Sequence, residues 1–172
     1  MPLVAFDSNI CIWCIKEECV KGQEQEMQKA ILLKDILTRA NFDIVIPIPV
    51  MSELLSNISD VSERLHLYSE IWKTYQIAEF DAKASLILAE ILNFHYNLVN
   101  KQQYQSLGIK KTPLKYDALL VAVSKSAGAE CLFAHDPDCK IVAATFFDVK
   151  GLDERPNSIS QNIGVFSQSN NP

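Results

Sequence analysis

The sequence has no surplus of positive charge: 16 lysines and arginines stand against 21 aspartates and glutamates, for a net charge of −5. No overall basic field therefore draws the protein to nucleic acid or to an anionic membrane, and phosphate binding would have to come from a local basic patch or from metal ions. A long apolar run is missing too. The most notable one, residues 44–50, is short and holds two prolines, which excludes it as a membrane span. Also absent is the second half of a zinc site. Cys11-Ile12-Trp13-Cys14 has the spacing of a first half, but no later Cys-x-x-Cys or His-x-His group follows. The five cysteines are odd in number and no secretory leader precedes them, so reduced thiols in a cytoplasmic protein are the expectation.

What is present is the composition of an ordinary globular protein, 48% hydrophobic and 22% charged over 172 residues, enough for one domain with a substantial core. The polar composition after position 150 divides it into a domain over 1–150 and a mobile tail over 151–172. The chain is organised around Leu3-Val4-Ala5-Phe6, an apolar run suited to a strand buried on both faces, which ends abruptly in Asp7-Ser8-Asn9. These three residues can end the strand, cap a helix and leave a carboxylate at the carboxyl edge of a sheet, where open α/β folds place their ligands.

Helical spacing follows over 10–16 and 23–40, and the β-branched residues 44–48 predict a second strand. A helix begins near Pro49 and carries Glu53 among apolar neighbours, again just beyond a strand. Residues 59–74 are helical and 75–80 form a third strand. Asp81 reads as the cap of a long helix running to Leu98. A polar loop or irregular helix end spans 97–111. Thr112-Pro113 then starts a helix over 114–127 that is apolar almost all round and so must be central. Asp117 lies one turn into it, where burial would cost several times what the helix dipole returns, unless a cation resolves the conflict. Gly128 closes that helix, and 131–134 form a fourth strand ending in His135-Asp136-Pro137-Asp138. Asp138 can cap a short helix over 139–143 and leave Asp136 at the edge, with Asp138 itself as the alternative site acid. Residues 145–149 read as a fifth strand.

Strands alternating with helices predict a three-layer α/β/α sandwich around a five-stranded, mainly parallel sheet. Asp7, Glu53, Asp117 and Asp136 all fall at or just beyond strand ends. Four gathered carboxylates repel one another unless cations sit among them, and hard oxygen ligands favour Mg2+ or Mn2+, the ions of metal-assisted phosphodiester hydrolysis.

Phe6-Asp7-Ser8-Asn9, Ser52-Glu53-Leu54-Leu55, Tyr116-Asp117-Ala118-Leu119-Leu120-Val121-Ala122 and Ala134-His135-Asp136, in this order, resemble the PIN domain family and its VapC-like toxin ribonucleases. The resemblance spans about residues 3–150. It implies a divalent-metal-dependent endoribonuclease with Asp7, Glu53, Asp117 and Asp136 as metal-site acids, and Ser8 binding a metal-held water or a phosphate oxygen. It also implies RNA as substrate and often a toxin role neutralised by a small antitoxin protein, with a homodimer as a compatible assembly and no membrane partner. Two departures stand out. Ala134 occupies a position where the family usually has Thr or Ser, so a supporting hydrogen bond is missing or taken over by His135. The chain is also more acidic than is usual for such toxins, leaving Lys110, Lys111 and Lys115 as the basic cluster near a site acid and, with His135, as candidate contacts to the RNA substrate.

Three competing readings remain. A phosphoacceptor receiver domain would use Asp7, Asp81 and Lys150, but its usual second acid beside the first is absent. A haloacid-dehalogenase-like phosphatase needs an acid where this chain has Asn9. A PIN fold that binds RNA or protein without cutting is the third.

Overall fold

A computed structural model describes residues 1–97, 102, 106, 111–143 and 145–159. Strand β1, Leu3–Phe6, is buried from Val4 onward and lies at the centre of a five-stranded sheet. It pairs in parallel with β2, Asp43–Pro47, on one side and with β4, Leu132–Phe133, on the other. Outside these lie β3, Gln76–Ala78, and β5, Val149–Lys150, both also parallel. The order is β3-β2-β1-β4-β5. A strand with neighbours on both sides and helices on both faces is buried all round, which is why β1 is a continuous apolar run without alternation.

Helix α1, Ser8–Cys11, passes into a π-helical turn over Ile12–Lys16 that Glu17 ends in the left-handed conformation, φ 55°. Helix α2 spans Glu24–Arg39 and buries Ala30, Leu33 and Leu37. Helices α3, Ile48–Ser56, and α4, Val61–Thr74, connect β2 to β3. Helices α5, Ala82–Tyr96, and α6, Lys111–Ser126, connect β3 to β4, and α7, Pro137–Ala143, precedes β5.

From β1 the connections move outward one way, to β2 and then β3. From β4 they move the other way, to β5. Right-handed crossovers put the two sets of helices on opposite faces, and the reversal between β1 and β4 opens a crevice at their carboxyl ends. The residues that follow these two strands are Asp7 and His135-Asp136.

Helix α6 is central, as its sequence requires, with Ala118, Leu120, Val121, Ala122 and Val123 all at most 3% exposed. It packs against α5 and α7. Gly128 ends it at φ 82°, a conformation that costs a residue with a Cβ far more.

Several boundaries differ from the sequence-based reading. The described helix α6 begins at Lys111, so Thr112 and Pro113 lie within its first turn instead of ahead of it. The fifth strand is confined to Val149–Lys150 because the amide of Phe146 donates to the carbonyl of Ala143, turning the chain where extension was expected. Past position 150 the chain stays attached as far as it is described: Leu152 is buried, Lys29 pairs with Asp153 and Lys140 with Glu154. The expected connection over 98–110, apart from positions 102 and 106, and the tail from 160 onward lie outside the described residues. All five cysteines are free thiols, and no helix among the described residues is long and apolar enough to cross a membrane.

Candidate active site

Asp7 stands where β1 becomes α1. Its Oδ1 accepts from the amide of Ile10 at 2.9 Å, capping the helix, and its Oδ2 accepts from the amide of His135 at 2.9 Å, joining it to the end of β4. It is 6% exposed. Burial pushes its carboxyl up to about 6 despite those two bonds, and the nearby carboxylates of Glu53 and Asp136 push in the same direction.

Asp117 extends from α6 into the same crevice. Its carboxyl is likewise pushed up to about 6, first by burial and then by Asp136, Asp138 and Asp7. Asp136 is exposed at the end of β4 and its Oδ1 accepts from the amide of Asp138 at 2.8 Å. The cap assignment expected from sequence is thereby reversed. Asp136 caps α7, which begins at Pro137, and Asp138 sits in the helix's first turn, close enough to raise Asp117. A cap carboxylate accepts through one oxygen and keeps lone pairs for another partner, so capping does not withdraw Asp136 from the site.

Glu53 reaches in from α3. Its Oε2 accepts two hydroxyls, from Ser8 Oγ at 2.5 Å and from Tyr116 Oη at 2.6 Å. Burial and the bond to Glu53 hold the Tyr116 phenol well above its ordinary range, so it stays a donor. Ser8 was expected to meet a water or a phosphate. Here it serves Glu53. Tyr116 was not singled out at all, although it adjoins Asp117 in the sequence. A tyrosine among apolar helix residues looks like packing until the helix is set beside α3.

The four acids, with Ser8, Asn9, Tyr116, Leu120 and Cys139, line one cavity of about 230 Å³. Among the described residues, no lysine or arginine lines it. A larger cavity of about 410 Å³ lies between the π-helical turn and α4 and contains none of the four acids.

Two expected substrate contacts sit elsewhere. Lys115 is exposed and does not line the carboxylate cavity, and the side chains of Lys110 and Lys111 are outside the described structure. The His135 ring lies edge-on to Trp13 at 4.8 Å between centroids and borders a separate cavity with Glu26 and Lys29. What His135 gives the site is its backbone amide. That bond answers the question raised by Ala134: support for the acids comes from the main chain at 135 in place of a hydroxyl at 134.

Asp81 is a cap. Its Oδ1 accepts from the amide of Ala84 at 2.6 Å and from Ser126 Oγ at 2.8 Å, which hold its carboxyl below the ordinary range. Asp81 does not line the carboxylate cavity, so the acceptor aspartate that a receiver domain would need does not stand beside Asp7.

The donor set is four carboxylates with the hydroxyls of Ser8 and Tyr116 and the amide of Asn9, while burial keeps the Cys139 thiol protonated. Among the described lining residues there is no balancing cation, and two of the acids are raised by burial and mutual repulsion. Such a set fits a hard divalent ion, Mg2+ or Mn2+, and not a thiol- or imidazole-preferring one. Among the described residues no three His, Cys, Asp or Glu side chains close into a ready-made cage. Mg2+ suits such an open arrangement, since it commonly keeps several waters and takes only one or two carboxylates directly.

A family model of the PIN domain matches residues 4–144. No curated protein matches the chain. Among solved structures, a chain of VapBC-1 from nontypeable Haemophilus influenzae superposes with a TM-score of 0.60 at 12% identity, covering 88% of this chain and 99% of that one. A chain of VapBC2 from Rickettsia felis, bound to a DNA fragment from its promoter, gives 0.58 at 16% identity, with 87% and 98% covered. A chain of DNA-bound VapBC from Salmonella typhimurium gives 0.58 at 13%, with 88% and 99% covered.

Proposed function

This chain belongs to the PIN domain family, and from that premise we propose that it is a divalent-metal-dependent endoribonuclease whose metal-site acids are Asp7, Glu53, Asp117 and Asp136. The observation that carries the reading is the convergence of these four acids, drawn from four separate segments, on one cavity at the crevice between β1 and β4.

A bound Mg2+ or Mn2+ would supply an activated water and neutralise charge developing on the leaving oxygen. The chain's own part is to hold the acids. The amides of Ile10 and His135 fix both oxygens of Asp7, Asp138 fixes Asp136, and Ser8 with Tyr116 fixes Glu53. Asp117 comes in on a rigid, buried helix. Because the carboxyls of Asp7 and Asp117 are raised to about 6, protons compete with a metal for them as pH falls toward that value, well above where ordinary carboxylates take up protons.

The likeness to VapBC structures supports a further proposal, that the protein is the toxin of a toxin-antitoxin pair and is held inactive by a small partner protein. The net charge of −5 leaves RNA affinity to the metal and to local contacts.

The test is a structured RNA incubated with pure protein in Mg2+ or Mn2+ and again with chelator. Cleavage that needs the metal and is lost in Asp7→Asn is expected. Cleavage that survives both chelator and Asp7→Asn, or none under any condition, would overturn the reading. RNA binding without cleavage would return the non-cutting PIN fold.

A further inference from the structure

Tyr116 belongs to none of the acids, yet it touches one of them more closely than any acid touches another through a hydrogen bond. Its hydroxyl and that of Ser8 converge on a single oxygen of Glu53, Oε2, from two different helices. Three elements meet at that atom: the start of α1, the middle of α3 and the early turns of α6.

We infer that Tyr116 is a positioning residue which, together with Ser8, sets the orientation in which Glu53 meets a divalent cation. This role presupposes the metal-dependent nuclease reading.

Two features of the geometry support it. Both donors are neutral hydroxyls. They orient the carboxylate without cancelling its charge, whereas a lysine or arginine in either place would satisfy Glu53 electrostatically and weaken its attraction for a cation. Both also bind the same oxygen, which leaves Oε1 outside the pair and fixes the plane of the carboxylate from two directions. Groups that orient metal ligands in this way commonly contribute about 10–100-fold to metal affinity or activity.

A purely structural tie is the competing account. The three helices do not need one, because Ile10, Val50, Leu54 and Leu120 already bury their side chains in a common core. Tyr116 is also placed at the mouth of the site. With Glu53 it borders an open groove of about 420 Å³ past Pro49 and Ser52, as well as the carboxylate cavity itself.

The experiment measures Mn2+ affinity by calorimetry in the absence of RNA, for wild type, Tyr116→Phe and Ser8→Ala, together with each protein's melting midpoint in chelator. Tyr116→Phe keeps the ring and removes only the donor. The expected result is Mn2+ binding weakened on the order of tenfold in Tyr116→Phe and also weakened in Ser8→Ala, with midpoints in chelator close to wild type. Unchanged Mn2+ affinity in Tyr116→Phe with a lowered midpoint would make the bond a structural tie and overturn the role. Tighter binding would also overturn it, because the hydroxyls would then be holding Glu53 away from the metal. A wild type that binds Mn2+ and cuts RNA beside an unaffected Tyr116→Phe overturns this role alone. A wild type that binds no Mn2+ overturns the role and the nuclease reading together.

Discussion

The amide of His135 donates to Oδ2 of Asp7 at 2.9 Å, joining two residues 128 positions apart. Because the donor is main chain, the bond depends on the path of the chain after β4 and not on the identity of the side chain at 135. His135→Ala should therefore keep metal-dependent cleavage within a few-fold of wild type. His135→Pro removes the amide hydrogen, and a bond to a buried carboxylate is worth roughly 1.5–3 kcal/mol, so it should lose most activity and melt at a lower temperature. Equal activity in the two variants, measured with the same RNA, would show that the amide is dispensable.

Asp117 carries the charge conflict most openly. In chelator, Asp117→Asn removes one of four gathered carboxylates and should melt above wild type, as charges in a cleft are only partly screened by salt. Mg2+ or Mn2+ should raise the wild-type midpoint by binding the folded state alone, and the variant should respond much less. Thermal scans with and without metal check both arms. A variant equal to wild type that ignores metal just as wild type does would remove Asp117 from the site.

The same conflict gives a pH dependence. Asp7 and Asp117 both have carboxyls raised to about 6 from the ordinary 3.8. Such groups bind protons more readily in the folded state than in the unfolded one. The cost of ionising them is therefore present in full above pH 6 and is relieved as pH falls toward the ordinary value. In chelator the midpoint should rise as pH is lowered from about 7.5 to about 5. Further acidification should reverse the trend, because Asp81 and Glu154, held below the ordinary range by their bonds, then begin to lose them. Asp117→Asn should flatten the first limb. A midpoint that falls steadily with pH over the whole interval contradicts the raised carboxyls.

Asp81 serves as the control acid. Asp81→Ala removes the cap of α5, which costs about 1 kcal/mol, or roughly 2–4 °C in a chain of this size, and should leave the cleavage rate intact. Loss of cleavage comparable with that of Asp7→Asn, without a larger fall in the midpoint, would place Asp81 in the cleaving site and end its role as a control.

If the protein is a toxin, expressing it alone should slow growth, and Asp7→Asn should abolish that effect. Normal growth alongside abundant soluble protein that cuts RNA in vitro would separate the nuclease from a toxin role.

The four acids could be found in the sequence because each follows an apolar run or interrupts an apolar helix, a pattern imposed by the parallel sheet itself. Asp81 was recognisable as a cap for a similar local reason, since a helical face begins directly after it. Tyr116 could not be recognised in the same way: its partner is 63 positions away, on a different helix. The cap falls on Asp136 and not on Asp138 because the short helix starts at Pro137, two residues earlier than its apolar pattern suggests. The fixed φ of Pro137 suits the first helical position and moves the cap one residue upstream of it. The fifth strand was overextended because Thr145, Phe146 and Phe147 have strand propensity, which a turn bonded to Ala143 overrides. Lys115 was placed by nearness in sequence to Asp117, but two residues along a helix amount to more than half a turn, and the lysine faces solvent.

The central position of β1 also has a consequence for synthesis. Asp7 leaves the ribosome well before the strand that flanks β1 on its other side and the amide that holds Asp7 Oδ2, which are encoded near position 133 and beyond. At roughly 5–20 residues per second, a nascent chain carries its first acid for on the order of ten seconds before the cavity is complete. The carboxylate cavity is thus incomplete while most of the chain is being made, and it closes only once the residues after β4 have been delivered.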